Sequence, residues 1–211
     1  FFFLELAIVP KYLLIGMYGS GAKEKNAMKL ALMLSAGSAM VFIGIIALVY
    51  TSFLQTGVLT WDMETLQQTH LSLGTQSVLY FLLFTGFGIF TAMFPFHSWA
   101  PDGHSSAPTA ASMFLAGVSM KLGGFGCLRV ATMLLPEAAA QWSWVFIILG
   151  VAGIMYGAFA TLRQNDIKYM NAFSSVSHCG LVVMGIAMIT PVAMKGAVLQ
   201  MVSHGRMTAL F

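Results

Sequence analysis

A chain of 211 residues that is 58% hydrophobic and only 8% charged falls far below the roughly 25% charge of soluble domains, with a mean hydropathy of +0.84. This composition excludes an ordinary soluble enzyme, and a formal net charge of +3 spread over scattered basic residues excludes a nucleic-acid site. Apolar runs of about 20 residues, the length a helix needs to cross a bilayer, recur along the chain, whereas the short alternating segments of a membrane β-barrel do not. The fold class is all-α, a polytopic transmembrane helix bundle in a multi-pass membrane protein.

Seven apolar segments are expected, at 1–18, 28–53, 75–94, 107–135, 142–162, 167–189 and 192–211. The first carries Glu5, thirteen residues before Tyr18. At 1.5 Å per residue that is about 20 Å into a core about 30 Å thick. A carboxylate at that depth is either a proton carrier, one half of a buried ion pair, or a neutral acid bonding between helices. The chain opens on Phe1-Phe2-Phe3 with no basic n-region, so no signal peptide is read there, and both ends read as cuts through a longer protein.

Loop charges give the orientation. Lys23, Lys25 and Lys29 fill the first loop; Asp62 and Glu64, without a basic residue, lie in the second, at 54–74; Glu137 stands alone at 136–141; Arg163 and Lys168 mark 163–168. Basic and non-basic loops alternate, as the positive-inside pattern requires. The first loop, the connection after the third segment and the 163–168 loop then face the cytoplasm, with Lys195 a mild exception. Trp61, Trp142 and Trp144 sit where interfacial belts are expected.

The stretch 94–108 carries Pro95, Pro101 and Pro108 together with His97, Asp102 and His104. Proline spacing of this kind breaks a helix. One reading is a broken span with a short helical piece, tolerated at depth where it lines protein or a wet cavity. The other is a polar cytoplasmic loop.

Lys121 lies mid-span in 107–135, where a charged side chain costs about 2.5–3.5 kcal/mol on insertion scales. It is either a proton carrier or a lysine permanently paired to a carboxylate. Gly117, Gly123, Gly124 and Gly126 around it permit close helix approach. His178, with Ser174 one turn back, and His204, with Gln200 one turn back, add two imidazoles suited to a relay or to helix-to-helix hydrogen bonds. Cys127 and Cys179 fall inside helices and read as buried free thiols, the alternative being a disulfide between them. The residues suggest no metal site, bound cofactor or soluble-enzyme catalytic group.

At these residues the chain resembles a known family. The segments FPFHSWAPDGHSSAPTAASMFLAGVSMKLGGFGCLRV (94–130), QNDIKYMNAFSSVSHCGLVVMGI (164–186), GAVLQMVSHG (196–205) and FFFLELAIVPKYLLIG (1–16) resemble the antiporter-like, proton-translocating membrane subunits of respiratory complex I, of the bacterial subunit M and mitochondrial subunit four type. The resemblance covers nearly the whole chain and implies an inverted-repeat antiporter-like fold of about fourteen helices. Residues 1–211 would form a single transmembrane domain holding helices five to eleven, with the broken helix near 90–108. It implies proton-relay roles for Glu5, Lys121, His178, His204 and Lys168; beside these, Lys11, His97, Asp102 and His104 are expected as compensating or loop polar positions. It also implies that NADH, FMN, iron–sulfur clusters and quinone belong to partner subunits, that other membrane subunits and the lipid bilayer are partners, that protons (or sodium) are carried, and that the setting is a bacterial inner membrane.

One departure stands out: the family usually carries a lysine where Phe90 stands, paired with the carboxylate matched by Glu5. Lys11, six residues from Glu5 and on a different helical face, is a candidate substitute, and Arg206 is also unusual. The alternatives are a subunit of a multisubunit cation/proton antiporter or membrane-bound hydrogenase, and a non-pumping structural span.

Overall fold

The computed structural model describes residues 1–210 and is helical throughout its main elements. In chain order these are α1 (Phe2–Leu6), α2 (Ile8–Tyr18), α3 (Lys23–Thr56), α4 (Met63–Gln67), α5 (Leu73–Phe90), α6 (Trp99–Ser106), α7 (Thr109–Thr132), α8 (Pro136–Leu162), α9 (Ile167–Ala187) and α10 (Pro191–Leu210). Five of them, α3, α5, α7, α8 and α9, are long and apolar enough to cross a membrane. The first and last expected spans fall outside that set. The first is split at Ala7 into helices of five and eleven residues, and the 20-residue α10 carries Lys195, Gln200, His204, Arg206 and Thr208.

Local chemistry explains the boundaries. Asp62, Ser72 and Asp166 cap α4, α5 and α9 by accepting backbone N–H bonds from Thr65, Thr75 and Lys168. The Thr65 side chain also donates to Asp62, and these bonds hold the Asp62 carboxyl below its usual range. Pro136 opens α8 at the position where its missing N–H does no harm. Gly57, at φ 71°, ends α3 in the left-handed region that disfavours a side chain.

Two expected loops are helix instead. Lys23, Lys25 and Lys29 form the first turns of α3, and 136–141 is the start of α8, leaving Leu135 as the break between α7 and α8. In both places an expectation based on charge put the end of apolar patterning in place of the end of helix; polar residues continue a helix as it leaves the apolar layer.

The proline-rich stretch is a broken helix with a short helical piece, α6. It is held by polar groups far apart in sequence. Lys29 Nζ lies 2.7 Å from Asp102 Oδ2, the Tyr169 hydroxyl donates to Asp102 Oδ1 at 3.4 Å, Asn26 Nδ2 donates to Ser106 Oγ at 2.7 Å, and the Ser20 N–H donates to the Ser106 carbonyl at 2.9 Å. The connections expected on the cytoplasmic side thus meet at one end of the bundle. Both ion-pair side chains are about a third exposed (35% and 30%), so Asp102→Asn is expected to lower stability by about 1 kcal/mol or less. A small fall in melting temperature of the purified complex checks this.

Glycines set the closest helix approaches. A Cβ at Gly157 would lie 2.6 Å from the Ser177 nitrogen, and one at Gly180 would lie 2.8 Å from the Gly150 carbonyl, which brings α8 and α9 together. Large apolar side chains such as Leu32, Phe42, Ile43, Leu54 and Phe159 cover the outer surface, as expected for lipid-facing positions.

Candidate functional site

Helix α7 positions the central lysine. It is wider than an α-helix at Leu115–Ser119 and at Cys127–Thr132, where it takes π turns, with regular helix at Met120–Gly126 between them. Such turns occur frequently at functional sites. Lys121 follows the first one, and its Nζ reaches back to the Ala116 carbonyl inside it.

On its other side Lys121 Nζ lies 2.6 Å from His204 Nδ1. His204 is 2% exposed, and its Nε2 lies 3.1 Å from Ser175 Oγ. Ser175 Oγ in turn donates to the Asn171 carbonyl at 3.0 Å. With lysine donating to Nδ1, the imidazole proton sits on Nε2 and points to Ser175. The ring of His178 lies 4.8 Å from that of His204, and Gln200 Nε2 donates to His178 Nδ1 at 2.8 Å. Close approach of α7 and α10 makes this possible: a Cβ at Gly205 would lie 3.1 Å from the Gly117 carbonyl.

Lys121, His178 and His204 are therefore brought together. Gln200 serves His178 rather than His204, and Ser175 rather than Ser174 takes part. The reason is geometric: intrahelical neighbours one turn apart share a face, but their side chains pair across to the facing helix. Each face was visible in the spacing. Lys168, Asn171 and Ser175 lie at i, i+3 and i+7 on α9, and Gln200, His204 and Thr208 lie at i, i+4 and i+8 on α10.

Ser175 also lines a polar cavity of about 110 Å3 with His104, Ser112, Lys168, Asn171 and Thr208. His104 is 4% exposed; its Nδ1 lies 2.9 Å from Ser112 Oγ, while its Nε2 is buried without a hydrogen-bond partner among the described residues. The cavity is roomy and polar enough to admit water. Lys168, in the first turn of α9, donates to the Ala107 carbonyl at 3.2 Å, so the cavity lies toward the end where the basic connections meet. Chemically the arrangement can pass a proton. An imidazole takes one at Nδ1 and gives one at Nε2, and Ser175 joins that second nitrogen to the cavity.

Other expected positions lie elsewhere. Glu5 is exposed, because α1 buries none of its residues, and it makes no side-chain hydrogen bond or ion pair among the described residues; it is not the buried carboxylate that its place in an apolar run suggests. His97 is 8% exposed and packs on Phe94 and Tyr156, with ring centroids 5.3 and 4.6 Å away. Asp102 belongs to the ion pair that anchors α6. Lys11 is buried, Phe90 is 1% exposed in an apolar cluster, and Cys127 and Cys179 are free buried thiols.

The family model described as NADH:quinone oxidoreductase/Mrp antiporter, transmembrane, matches residues 1–211. The chain belongs to that family. Among curated relatives, NADH-quinone oxidoreductase subunit M of Pseudomonas aeruginosa is 39% identical over 211 residues, covering 97% of this chain and 42% of that protein. NAD(P)H-quinone oxidoreductase chain 4 3 of Picosynechococcus is 41% identical over 206 residues, covering 97% and 37%. A chain in the structure of respiratory complex I from Thermus thermophilus superposes with a TM-score of 0.87 at 25% identity, covering 99% of this chain and 44% of that one. The chain thus spans about two fifths of the length of the relatives it matches. Membership of this transmembrane family agrees with the multi-pass helical fold.

Proposed function

We propose that this chain is part of a proton-translocating membrane subunit of an NADH:quinone oxidoreductase-type complex. The observation that carries the reading is the bonded pair of Lys121 and buried His204 in the middle of the bundle, joined through Ser175 to a polar cavity. Lys121 is the central carrier. His204 and His178 pass the proton across α10 and α9, and His104 with Lys168 receive protons at the cavity. Glu5 is a further carrier only where another part of the protein or complex covers its exposed face.

In this reading no redox group sits in the chain. NADH, FMN, iron–sulfur clusters and quinone belong to partner subunits, and the chain works with other membrane subunits in a bacterial inner membrane, contributing proton movement to an enzyme whose electron transfer occurs elsewhere. The groove of about 400 Å3 beside Lys121 is lined by Lys121 and Arg206 but by no carboxylate.

His204→Leu keeps the volume of the buried site but removes both imidazole nitrogens. Proton uptake by vesicles containing the assembled complex is expected to fall by about tenfold or more. Unchanged uptake per electron would refute the relay, and uptake that depends on sodium would select the antiporter reading.

A further inference from the structure

Lys11 is 4% exposed, and its ammonium nitrogen is buried without a hydrogen-bond partner among the described residues. The residues that α2 buries are Ile8, Lys11 and Ile15, at i, i+3 and i+7, so the lysine points into the protein. It is not snorkelling, since that posture keeps the charged head in water. Lys121 on α7 has two partners; Lys11 has none among the described residues. A charged ammonium is costly in such surroundings unless water or a counter-charge reaches it.

Water has a route. A cleft of about 310 Å3 runs between α2 and the start of α7, lined by Lys11, Ile15, Tyr18, Pro108, Ala111 and Leu115. Tyr18, the other titratable residue on its wall, is the last residue of α2 and lies at the end where the basic connections meet. Leu115 on the opposite wall begins the π turn, and the next residue, Ala116, supplies the carbonyl that holds Lys121 Nζ. Lys11 and Lys121 therefore border the two sides of one irregular turn. Phe90 belongs to the apolar cluster that Ile8 and Ile15 close from α2, so α5 places no charge in that cluster.

We propose that Lys11 is a second proton-loading amine of this chain, exchanging protons through the cleft that it shares with Tyr18. This rests on the proton-translocating reading above. On loading, the amine nitrogen gains one N–H bond and a positive charge; on release that bond breaks and the proton returns to water, with no other bond changed.

The test uses the complete complex in proteoliposomes. Lys11→Met is expected to lower proton pumping per electron by about tenfold. Lys11→Arg is expected to do the same although it keeps a cation, because a guanidinium does not release its proton. A merely structural cation would be rescued by arginine. Lys11→Met combined with Phe90→Lys, which returns an amine to the same cluster from α5, is expected to recover part of the lost pumping.

Wild-type pumping in Lys11→Met or Lys11→Arg would overturn the proposal. So would failure of both to assemble without recovery in the double variant, since that marks a structural cation. Lys121→Ala measured in parallel separates the two claims. If it abolishes pumping while the Lys11 variants pump normally, the Lys11 inference alone fails; if it pumps normally, the underlying reading fails.

Discussion

Lys121→Ala is expected to abolish proton translocation while the complex still assembles. The lysine Nζ is the point where the Ala116 carbonyl and His204 Nδ1 converge, and alanine offers neither a proton nor a hydrogen bond. Removing a mid-span charge relieves the membrane of about 2.5–3.5 kcal/mol of insertion cost, so instability is not the expected consequence. His204 would keep its bond to Ser175 and lose its lysine partner. The measurement is protons moved per electron in vesicles, alongside electron transfer and the abundance of assembled complex on native gels. A stoichiometry equal to wild type would remove Lys121 from the mechanism.

Gly123→Leu is expected to act on structure instead. A Cβ at Gly123 would lie 2.6 Å from Thr91 Oγ1 and 2.7 Å from both the Phe87 carbonyl and the Thr91 nitrogen. Two of these are backbone atoms of the α5 terminus and cannot rotate aside. Overpacking typically costs about 1–3 kcal/mol, and leucine adds three carbons beyond that Cβ. Helices α5 and α7 would have to separate, carrying Lys121 away from α10 by its own helix. Little or no assembled complex is expected on native gels. Gly74→Leu is the control, because nothing lies within 4 Å of a Cβ there. Wild-type abundance for Gly123→Leu would show that the α5–α7 seam gives way more readily than its geometry suggests.

Charge isolated within apolar runs made Lys121, His178 and His204 legible as a group, because polar residues at membrane depth are costly and have few neutral explanations. Three prolines likewise announced the break before α7, since proline removes a backbone donor and restricts its predecessor. The same reasoning misplaced Glu5. Depth along a helix is readable from residue counts, but the direction a side chain faces depends on which neighbour covers that face, and α1 packs Leu4 against the bundle while Glu5 faces out. His104 was noticed only as part of the broken stretch; its place on a shared cavity with Ser175 and Lys168 depends on how α6, α7 and α9 meet.

The sequence by itself determined a helical membrane bundle, five of its seven expected spans and the break before α7, because transfer energies and backbone sterics act on each segment independently of the others. The tertiary structure alone decided the pairings: His204 with Lys121 and Ser175, Gln200 with His178, Lys29 with Asp102, and Lys11 with no partner among the described residues. Those depend on helix rotation and on approach distances of tenths of an ångström at glycines such as Gly117, Gly123 and Gly205. Such quantities arise only when two helices pack, since hydrogen bonds across a seam are set by geometry that neither helix specifies alone.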